Sequence, residues 1–378
     1  MDILTIILLF LFAPMTPMAS SPTMSASDST PIVFVPGWGG STLVDPRGTA
    51  KWLDGWAALG LKTPSLALPL TWENGVQGRD ELRPGEILKS VQLLGPLAED
   101  IYGSWLEAAR KLHRPVYQFV YDWRRDPLEV GAEFKTFLTH VSAERGGVKL
   151  DVVGHSLGAL YVMAALNESP ELFNQAIMVG APFSGDINGF MDLQRGDSAG
   201  LNDQILSPNV VLSFPSSYLF LPDKESRIAD NDGMPESIDF YSVKVWKARR
   251  FGPFFSATDP HQIRQVETFM ETALDHARQF RRLLEPRPIR YPRIRIVSGN
   301  TIPTRAWAIQ DSSSKRGLDF DFYSREMGDG ETRVEDSVPE PGIPYELYYS
   351  DKSHIHLMDD PVIPKLLSDG ASPKARMQ

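Results

Sequence analysis

Residues 150–166 read LDVVGHSLGALYVMAAL, and this stretch decides the fold. Its first four residues are typical of a buried strand, and the residues from Ala159 onward are typical of a helix. Between them lies the pentapeptide Gly154-His155-Ser156-Leu157-Gly158. A Gly-x-Ser-x-Gly sequence between a strand and a helix presents its serine on a sharp turn. We therefore predict that Ser156 is a catalytic nucleophile.

The two glycines of this turn meet a steric need. The serine stands on a strained backbone, so side chains at Gly154 and Gly158 would clash with it. The amides that follow Ser156 open a helix, whose N-terminal dipole stabilises negative charge. The alternative is a chance combination of common residues, and the flanking strand and helix patterns argue against it.

Short apolar runs predict the strands of a sheet around this turn. Helical periods lie between several of these runs, most clearly from Leu97 to Leu112 and from Ile263 to Phe280. Alternating strands and helices require crossover connections, so the predicted fold class is α/β, with a mostly parallel central sheet and helices on both faces. The predicted strands are Pro31 to Pro36, Pro115 to Tyr121, Lys149 to Val153, Gln175 to Val179, Arg293 to Val297 and Tyr345 to Tyr349.

Two stretches interrupt this alternation, at about residues 42–95 and 183–260. Both contain Pro, Gly, Trp, Asn and Asp without a clean period, and both follow predicted strands. Long irregular segments in a compact domain usually form lids or binding loops. We interpret the first insert (42–95) as a lid and the second insert (183–260) as a cap on one domain that spans residues 31–367. Residues 368–378 are predicted to form a frayed polar tail.

A serine hydroxyl is a poor nucleophile at its ordinary pKa, so it needs a histidine base and an acid that orients the histidine. In this type of fold the acid and then the histidine follow the serine along the chain. Only His354 and His356, of seven histidines, lie beyond any plausible acid after the strand that ends near Val297. We favour His354, which is nearer to the end of the last predicted strand, and keep His356 as the alternative.

Asp329 is the favoured acid. It lies in the tight turn Gly328-Asp329-Gly330, whose glycines let the carboxylate reach inward without steric hindrance. Any single carboxylate is by default a solvated surface charge. Four others compete for the role, namely Asp319, Asp321, Glu335 and Asp336.

Two backbone amides are expected to form an oxyanion hole. One belongs to Leu157, directly after the nucleophile, and the other to the loop that follows the first strand. That loop reads Gly37-Trp38-Gly39-Gly40-Ser41, in which Trp38 and Gly39 are the candidates. A flexible turn is the simpler interpretation of the glycines taken alone. Together with the Ser156 turn, the oxyanion hole is favoured.

Composition excludes several classes of protein. The 378 residues are 42% hydrophobic, with a net charge of -10 and no cysteine. The apolar content is too high for a disordered chain. The acidic balance, without a basic run, predicts no nucleic-acid partner.

The absence of cysteine excludes disulfides and thiolate metal sites. No phosphate-binding Gly-x-x-x-x-Gly-Lys occurs, and two histidines at i, i+2 make a poor zinc site, so we expect no cofactor and no metal.

The N-terminus contains an almost unbroken apolar run from Ile3 to Ala13, followed by the small residues Ala19-Ser20-Ser21. About eleven apolar residues suit a signal peptide and fall short of the ~20 needed to span a bilayer. We predict a signal peptide over residues 1–20, a Ser/Thr-rich linker over 21–30, and a secreted or extracytoplasmic protein. The alternatives are a short hydrophobic anchor or a misassigned start, since no Lys or Arg precedes the run.

Six motifs in chain order resemble one family, that of lecithin:cholesterol acyltransferase, lysosomal phospholipase A2 and phospholipid:diacylglycerol acyltransferase. The Ser156 turn is common to many hydrolases, whereas the Tyr-Asp-Trp-Arg and Gly-Ala-Pro motifs are more specific to this family. The six motifs are Val35 to Ser41 (VPGWGGS), Tyr121 to Arg124 (YDWR), Gly154 to Gly158, Gly180 to Gly185 (GAPFSG), Gly328 to Gly330 and Ser353 to Ile355.

The resemblance implies an α/β-hydrolase fold and a triad of Ser156, Asp329 and His354. It also implies an acyl-enzyme formed from a glycerolipid ester, with the acyl group passed to water or to an alcohol. Secreted members of the family have a disulfide in the lid, which this chain lacks. Where Thr-Val usually follows the acid loop, residues 331–334 read ETRV. We interpret Asp122 and Arg124 as a buried ion pair that holds its loop in place.

Apolar residues in the inserts fit a lipid substrate, supplied at a membrane or lipoprotein-like surface. They either line an acyl channel or face a membrane, or they pack the inserts onto the core. A carboxylesterase or neutral lipase is one alternative function, and a non-catalytic lipid-binding protein with this fold is another. The residues in question are Trp52, Trp56, Leu59 and Leu61 in the first insert and Phe214, Tyr218, Leu219, Phe220 and Leu221 in the second.

Overall fold

The computed structural model describes residues 30–92, 98–225, 227–255, 258–311, 317–321 and 325–369. The predicted signal peptide (1–20), residues 21–29 of the predicted linker and residues 370–378 of the predicted tail lie outside these ranges. The last helix runs through Ser368, so the first residue of the predicted tail is helical.

The strands and helices follow one another in the order that the sequence patterns indicate, with further short strands in the inserts, just after the first insert, and between β15 and β20. The strands up to the Ser156 turn are β1 (Ile32–Val35), β2 (Ser41–Val44), β3 (Ala50–Trp52), β4 (Trp72–Glu73), β5 (Val76–Gln77), β6 (Arg83–Ile87), β7 (Ser90–Gln92), β8 (Ala98–Asp100), β9 (Val116–Gln118) and β10 (Leu150–His155). The later strands are β11 (Phe173–Val179), β12 (Asp197–Ala199), β13 (Asn202–Leu206), β14 (Ile228–Ala229), β15 (Arg293–Gly299), β16 (Ile302–Arg305), β17 (Ala308–Gln310), β18 (Leu318–Asp319), β19 (Arg325–Gly328) and β20 (Glu346–Ser350). The α-helices are α1 (Gly55–Ala58), α2 (Gly103–Arg110), α3 (Pro127–Glu144), α4 (Leu157–Glu168), α5 (Ile187–Arg195), α6 (Pro208–Leu212), α7 (Val243–Arg249), α8 (Pro260–Arg282) and α9 (Val362–Ser368).

Six strands form the central sheet, in the order β20-β15-β11-β10-β1-β9. Every neighbouring pair in it is parallel. Each of the six predicted strands corresponds to one of these strands, so the predicted α/β class with a parallel central sheet is confirmed. The carboxyl ends of β10, β15 and β20 therefore meet at one edge of the sheet, where parallel α/β sheets form their sites.

Helices cover both faces of this sheet. Successive side chains of a strand point to opposite faces, so alternate residues of β1 contact different helices. On one face, Val33 and Val35 belong to the core that α3, α4 and α8 complete. On the other face, Ile32 and Phe34 pack with residues of α2 and α9. Both faces of β1 and β10 are thus buried, which explains their nearly continuous apolar sequences. Within the described ranges, no helix is long and apolar enough to cross a bilayer.

The helix predicted from Leu97 to Leu112 is shorter in the structure. α2 begins at Gly103, and β8 pairs antiparallel with β7 over part of the predicted helix. Asp100 accepts a hydrogen bond from the Ser104 amide at 3.0 Å, which favours the start of the helix directly after the strand. The first part of this prediction was wrong because strand pairing outweighed the helical spacing; Leu97 itself lies outside the described residues.

The two inserts are better ordered than their sequences indicate. The first insert contains α1 and an antiparallel sheet in the order β3-β2-β6, and the second contains α5 to α7 with the β12-β13 hairpin. The two inserts contact each other through hydrogen bonds from Leu201 N to Ala58 O at 2.7 Å and from Leu68 N to Ser213 Oγ at 2.9 Å. Their roles as lid and cap remain predictions.

A buried arginine fixes the first insert to the sheet. Arg124 has no exposed side-chain area and forms ion pairs with Asp122 at 2.8 Å and Asp80 at 2.7 Å. It also donates to Leu66 O at 2.8 Å. The predicted Asp122–Arg124 ion pair is confirmed, and Asp80 and Leu66 extend it to two points of the first insert.

We predict that Arg124→Met lowers the free energy of unfolding by about 3 to 5 kcal/mol, because it leaves two carboxylates without their buried partner. The control is Arg278→Met, which removes an exposed pair with Asp239. Its expected effect is at most about 1 kcal/mol. Urea unfolding measures both variants, and equal losses would contradict the prediction.

Candidate active site

Ser156 lies on a strained turn between β10 and α4. Its φ of 52° and ψ of -124° are rare for a residue with a side chain. The turn is held from both sides, since Ser156 N donates to Val179 O at 2.8 Å and Ala159 N donates to Ser156 O at 3.0 Å. A Cβ on Gly154 would lie 2.7 Å from the Cα of Ala159. Glycine is therefore required where helix and strand approach this closely.

The structure brings Ser156, His354 and Asp329 together. His354 Nε2 lies 3.0 Å from Ser156 Oγ, and His354 Nδ1 lies 2.8 Å from Asp329 Oδ2. A carboxylate only accepts hydrogen bonds, so Nδ1 carries a proton, and in the neutral imidazole Nε2 accepts the hydroxyl of Ser156. This is the geometry of a serine, its base and the acid that orients the base.

Asp329 is buried in the turn after β19, and its carboxylate is fully oriented. Asp329 Oδ1 accepts hydrogen bonds from the amides of Glu331 at 2.9 Å and Thr332 at 2.7 Å. This leaves Oδ2 for His354. The acid loop and the histidine are also joined by their backbones, because His354 N donates to Asp329 O at 2.9 Å. Thus the residues that intervene after the acid loop supply the amides that hold it.

The competing candidates lie elsewhere. His356 is partly exposed and pairs with Glu99 at 3.0 Å and Asp359 at 3.1 Å. Asp321 pairs with Arg195 and Arg305, and Asp336 pairs with Arg227 and Arg333.

The two remaining competitors also have local partners. Glu335 lies 3.7 Å from Arg333, and Asp319 Oδ1 accepts the amide of Asp321 at 2.8 Å. None of the four competing carboxylates contacts His354 within the described residues.

The loop after β1 lies directly beside the nucleophile. A Cβ on Gly37 would be only 2.9 Å from the Cβ of Ser156. The amides of Gly37 and Gly40 are used internally, donating to Tyr102 Oη and to Gly37 O, both at 3.0 Å. This leaves Trp38 and Gly39 as the oxyanion candidates of the loop. Leu157, as the first residue of α4, has no helical carbonyl to accept its amide hydrogen.

The Tyr-Asp-Trp-Arg motif braces this loop at both ends. Tyr121 Oη donates to Pro36 O at 2.8 Å, and Trp123 Nε1 donates to Ser41 O at 3.0 Å. The Trp123 ring packs 4.5 Å from the ring of Trp38. The motif is therefore structural, and it sets the position of the candidate oxyanion amides.

The Gly-Ala-Pro motif makes room for the histidine. Gly180 follows β11 with a φ of 57°, and a Cβ there would lie 3.2 Å from the His354 ring and 2.7 Å from Leu357. An amino acid with a side chain would be strained by this φ and would displace the ring.

Burial and charge act in opposite directions on the pKa values of the site. Burial lowers the pKa of His354, but the charge and hydrogen bond of Asp329 outweigh it and raise the pKa to about 9. For Asp329, burial raises the pKa, but His354 and the two amides outweigh it, so the pKa lies below its ordinary value. For Asp186, burial outweighs the Gly189 amide and the charge of His354, and it raises the pKa to about 7.

A cavity of about 750 Å³ opens at Ser156, His354 and Asp329. One part of its lining is apolar and another part is rich in carboxylates. The apolar part includes Trp38, Trp52, Leu53, Leu88, Val91, Ile101, Val211 and Phe220. The carboxylate part includes Asp186, Asp192, Asp197 and Glu331. Among the described residues, no group of three or more His, Asp or Glu is arranged to hold a metal ion.

The apolar residues predicted to meet lipid divide into three groups. Trp52 and Phe220 line the cavity. Phe214, Tyr218, Leu219 and Leu221 are buried and pack the second insert onto the core. Trp56 and Leu61 are exposed, at 58% and 64% of their surface, and Leu59 is half-buried.

Two residues next to the site were not predicted from the sequence, Tyr102 and His155. His155 lies inside the Gly-x-Ser-x-Gly pentapeptide, but the residue at this position is not specified by the motif. Tyr102 precedes α2 and approaches the site only because β8 and the turn after it fold back over the sheet. No local signal indicates that it contacts His155, 53 residues later.

A family model described as lecithin:cholesterol acyltransferase matches residues 81–280, more than half of the chain. The chain belongs to this family. The match includes the Tyr-Asp-Trp-Arg motif, the Ser156 turn and the Gly-Ala-Pro motif. Together with the parallel sheet and the position of Ser156, it identifies the α/β-hydrolase fold that the resemblance implied.

Individual relatives are more distant. An uncharacterized protein of Saccharomyces cerevisiae, YJR098C, is 27% identical over 229 residues, which cover 59% of this chain and 34% of the yeast protein. The chain thus spans about a third of the length of this curated relative. The solved Tle4–Tli4 complex contains a chain of similar fold, with a TM-score of 0.51, 11% identity and coverage of 90% and 97% of the two chains. The mature lipase BlEst2 of Bacillus licheniformis gives a TM-score of 0.39 at 13% identity, covering 89% and 91%.

Asp186 provides a test of the electrostatics of the cavity. Its Oδ1 accepts the Gly189 amide at 2.7 Å at the start of α5, a role that asparagine can also perform. Since its folded pKa is raised from 3.8 to about 7, wild type loses stability as pH rises through this interval. Asp186→Asn should therefore stabilise the protein by a few kcal/mol above about pH 7, at about 1.4 kcal/mol per pKa unit, and much less at about pH 4.

Thermal and urea unfolding at the two pH values measure this difference. The matched control is Asp259→Asn, because Asp259 begins α8 in the same way and is exposed. A stabilisation by Asp186→Asn that does not change with pH would contradict the prediction.

Proposed function

We propose that this protein is a serine-dependent acyl hydrolase and O-acyltransferase that forms an acyl-enzyme from a glycerolipid ester. The acyl group then passes to water or to an alcohol acceptor. One observation carries this proposal: Ser156, His354 and Asp329 are joined by hydrogen bonds at the base of a cavity large enough for a lipid acyl chain.

The first half of the reaction follows from the hydrogen bonds. As Ser156 Oγ attacks the ester carbonyl carbon, His354 Nε2 takes its proton, and Asp329 stabilises the imidazolium that results. The amides of Leu157 and of Trp38 or Gly39 stabilise the oxyanion. When the carbon–oxygen bond to the glycerol moiety breaks, His354 returns the proton to the leaving oxygen.

The second half repeats these steps with another nucleophile. Water or an alcohol gives its proton to His354 Nε2 and attacks the acyl carbon, and Ser156 Oγ then leaves and recovers the proton. The same residues therefore serve hydrolysis and transfer.

A lipid surface as the source of substrate is supported by the exposed residues near the cavity. Trp56 lies in α1 and Leu61 follows this helix, whose last residue, Ala58, lines the cavity. Leu201, 74% exposed, is hydrogen-bonded to Ala58 O. Exposed apolar side chains grouped in this way are typical of surfaces that contact lipid or protein.

The raised pKa of His354 predicts an alkaline pH profile. Only neutral His354 can accept the Ser156 proton, so kcat/KM should rise with pH and reach half its maximum near pH 9, above the ordinary imidazole value of 6.5. Asp329→Asn should lower this midpoint and reduce kcat by about 10⁴-fold. Hydrolysis of a soluble ester from about pH 6 to about pH 10 measures both. A wild-type midpoint at or below the ordinary value would contradict the assignment.

Ser156→Ala should reduce both hydrolysis and transfer at least ~10³-fold, because both pass through the same oxygen. The assay uses phospholipid vesicles with a long-chain alcohol present, and mass spectrometry of the products. The control is Ser142→Ala, which changes a serine in α3 that is bonded to Val148 O. Undiminished turnover of Ser156→Ala would refute the proposal.

The same assay tests the acyl-enzyme. Phospholipids with different head groups but identical acyl chains should give the same ratio of alkyl ester to free fatty acid, because the products arise from one common intermediate. A ratio that depends on the head group would indicate direct transfer instead.

A further inference from the structure

Three consecutive hydrogen bonds form a line that joins the loop after β1 to the backbone of His354. Gly37 N donates to Tyr102 Oη at 3.0 Å. Tyr102 Oη lies 2.8 Å from His155 Nδ1, and His155 Nε2 lies 3.0 Å from His354 O. These contacts connect residues that are far apart in sequence, from the first loop to the last turn of the sheet.

Each bond in this line has one possible direction. The His354 carbonyl can only accept, so His155 Nε2 carries a proton and donates it there. In the neutral ring Nδ1 then has no proton, so it accepts the hydroxyl proton of Tyr102, whose oxygen accepts the Gly37 amide. Burial raises the pKa of Tyr102 above its ordinary value and lowers the pKa of His155 to about 3, so both side chains are neutral.

Packing holds the two side chains in place. Tyr102 and His155 are 3% and 4% exposed. The Tyr102 ring meets Phe34 edge-on at 5.1 Å, and the His155 ring lies 5.0 Å from the His354 ring. This packing restricts the rotation of both rings and keeps them facing these hydrogen-bond partners.

We propose that Tyr102 and His155 are positioning residues, whose directed hydrogen bonds set the distance between the oxyanion amides and the general base. This inference rests on the acyl-transfer function proposed above.

Two structural points support this role. Gly37 immediately precedes Trp38 and Gly39, the candidate oxyanion donors, so the Tyr102 hydroxyl fixes the chain directly before them. The backbone of His354 is held by Asp329 O at its amide and by His155 at its carbonyl, 2.9 and 3.0 Å away. A displacement of about 1 Å between reacting groups costs on the order of 100-fold in rate. The line of bonds should therefore affect kcat more than KM.

The test is a double-mutant cycle of Tyr102→Phe and His155→Leu. Tyr102→Phe removes one oxygen atom and keeps the shape of the side chain. We expect each single variant to lower kcat by about 10- to 100-fold with KM nearly unchanged. The double variant should be no slower than His155→Leu alone, because both changes interrupt the same line.

The matched control is Tyr241→Phe. Tyr241 is also buried, and its hydroxyl donates to Leu221 O at 3.2 Å, but this bond does not join the line. Its kcat should equal that of wild type. Thermal melting of every variant separates loss of position from loss of folding.

His155→Gln provides a rescue. The glutamine amide can occupy the place of Nε2 and donate to His354 O, so its kcat should exceed that of His155→Leu. If His155→Leu does not fold, the cycle is run with His155→Gln, in which a further Tyr102→Phe change should have little effect.

Two outcomes would overturn the proposal: a Tyr102→Phe enzyme with the kcat of Tyr241→Phe, or losses that multiply independently in the double variant. A fluorophosphonate probe distinguishes this failure from failure of the proposed function. If wild type is not labelled at Ser156, the proposed function fails. If wild type is labelled, and the Tyr102 and His155 variants are labelled at the same rate, only the positioning role fails.

Discussion

The close approach of two backbones at the edge of the sheet is the constraint on which the rest of the structure depends. A Cβ on Gly158 would lie 2.4 Å from Val35 O and 2.5 Å from Pro36 O. The start of α4 therefore touches the end of β1, with no side chain between them. This contact brings the loop after β1 beside Ser156, as the close approach of Gly37 to Ser156 shows. Because the strained turn and the loop share one edge, neither can move without the other.

The geometry around this contact is built by aromatic and charged side chains from distant parts of the chain. Trp38, Trp52 and Trp123 pack against one another, with ring centres 4.5 to 6.2 Å apart. Arg124 extends the same assembly into the first insert through Asp80 and Leu66. The cavity wall and the loop after β1 are thus parts of one packed unit.

Much of the fold could be predicted because short residue patterns within single segments determine it. The six central strands carry short apolar runs, and the Ser156 turn carries its glycines, so both are visible in the sequence. The sequence also favoured His354 over His356, by its nearness to the last strand, and the path of the turn after β20 places the His354 ring between Ser156 and Asp329. The hairpin of β7 and β8 replaced the predicted start of α2 because pairing between strands does not depend on helical spacing. Tyr102 and His155 were missed because the hydrogen bonds that connect them to Gly37 and His354 join residues far apart in the sequence.

The first insert is fastened by ion pairs, hydrogen bonds, ring packing and buried apolar residues such as Leu66 and Leu68, and the chain contains no cysteine. Reducing agents have no bond to cleave in this attachment, and oxidants have no thiol to modify. The assembly of the cavity is therefore independent of the glutathione poise of its surroundings. The same Arg124 contacts would hold the insert in a compartment that reduces disulfides and in one that forms them.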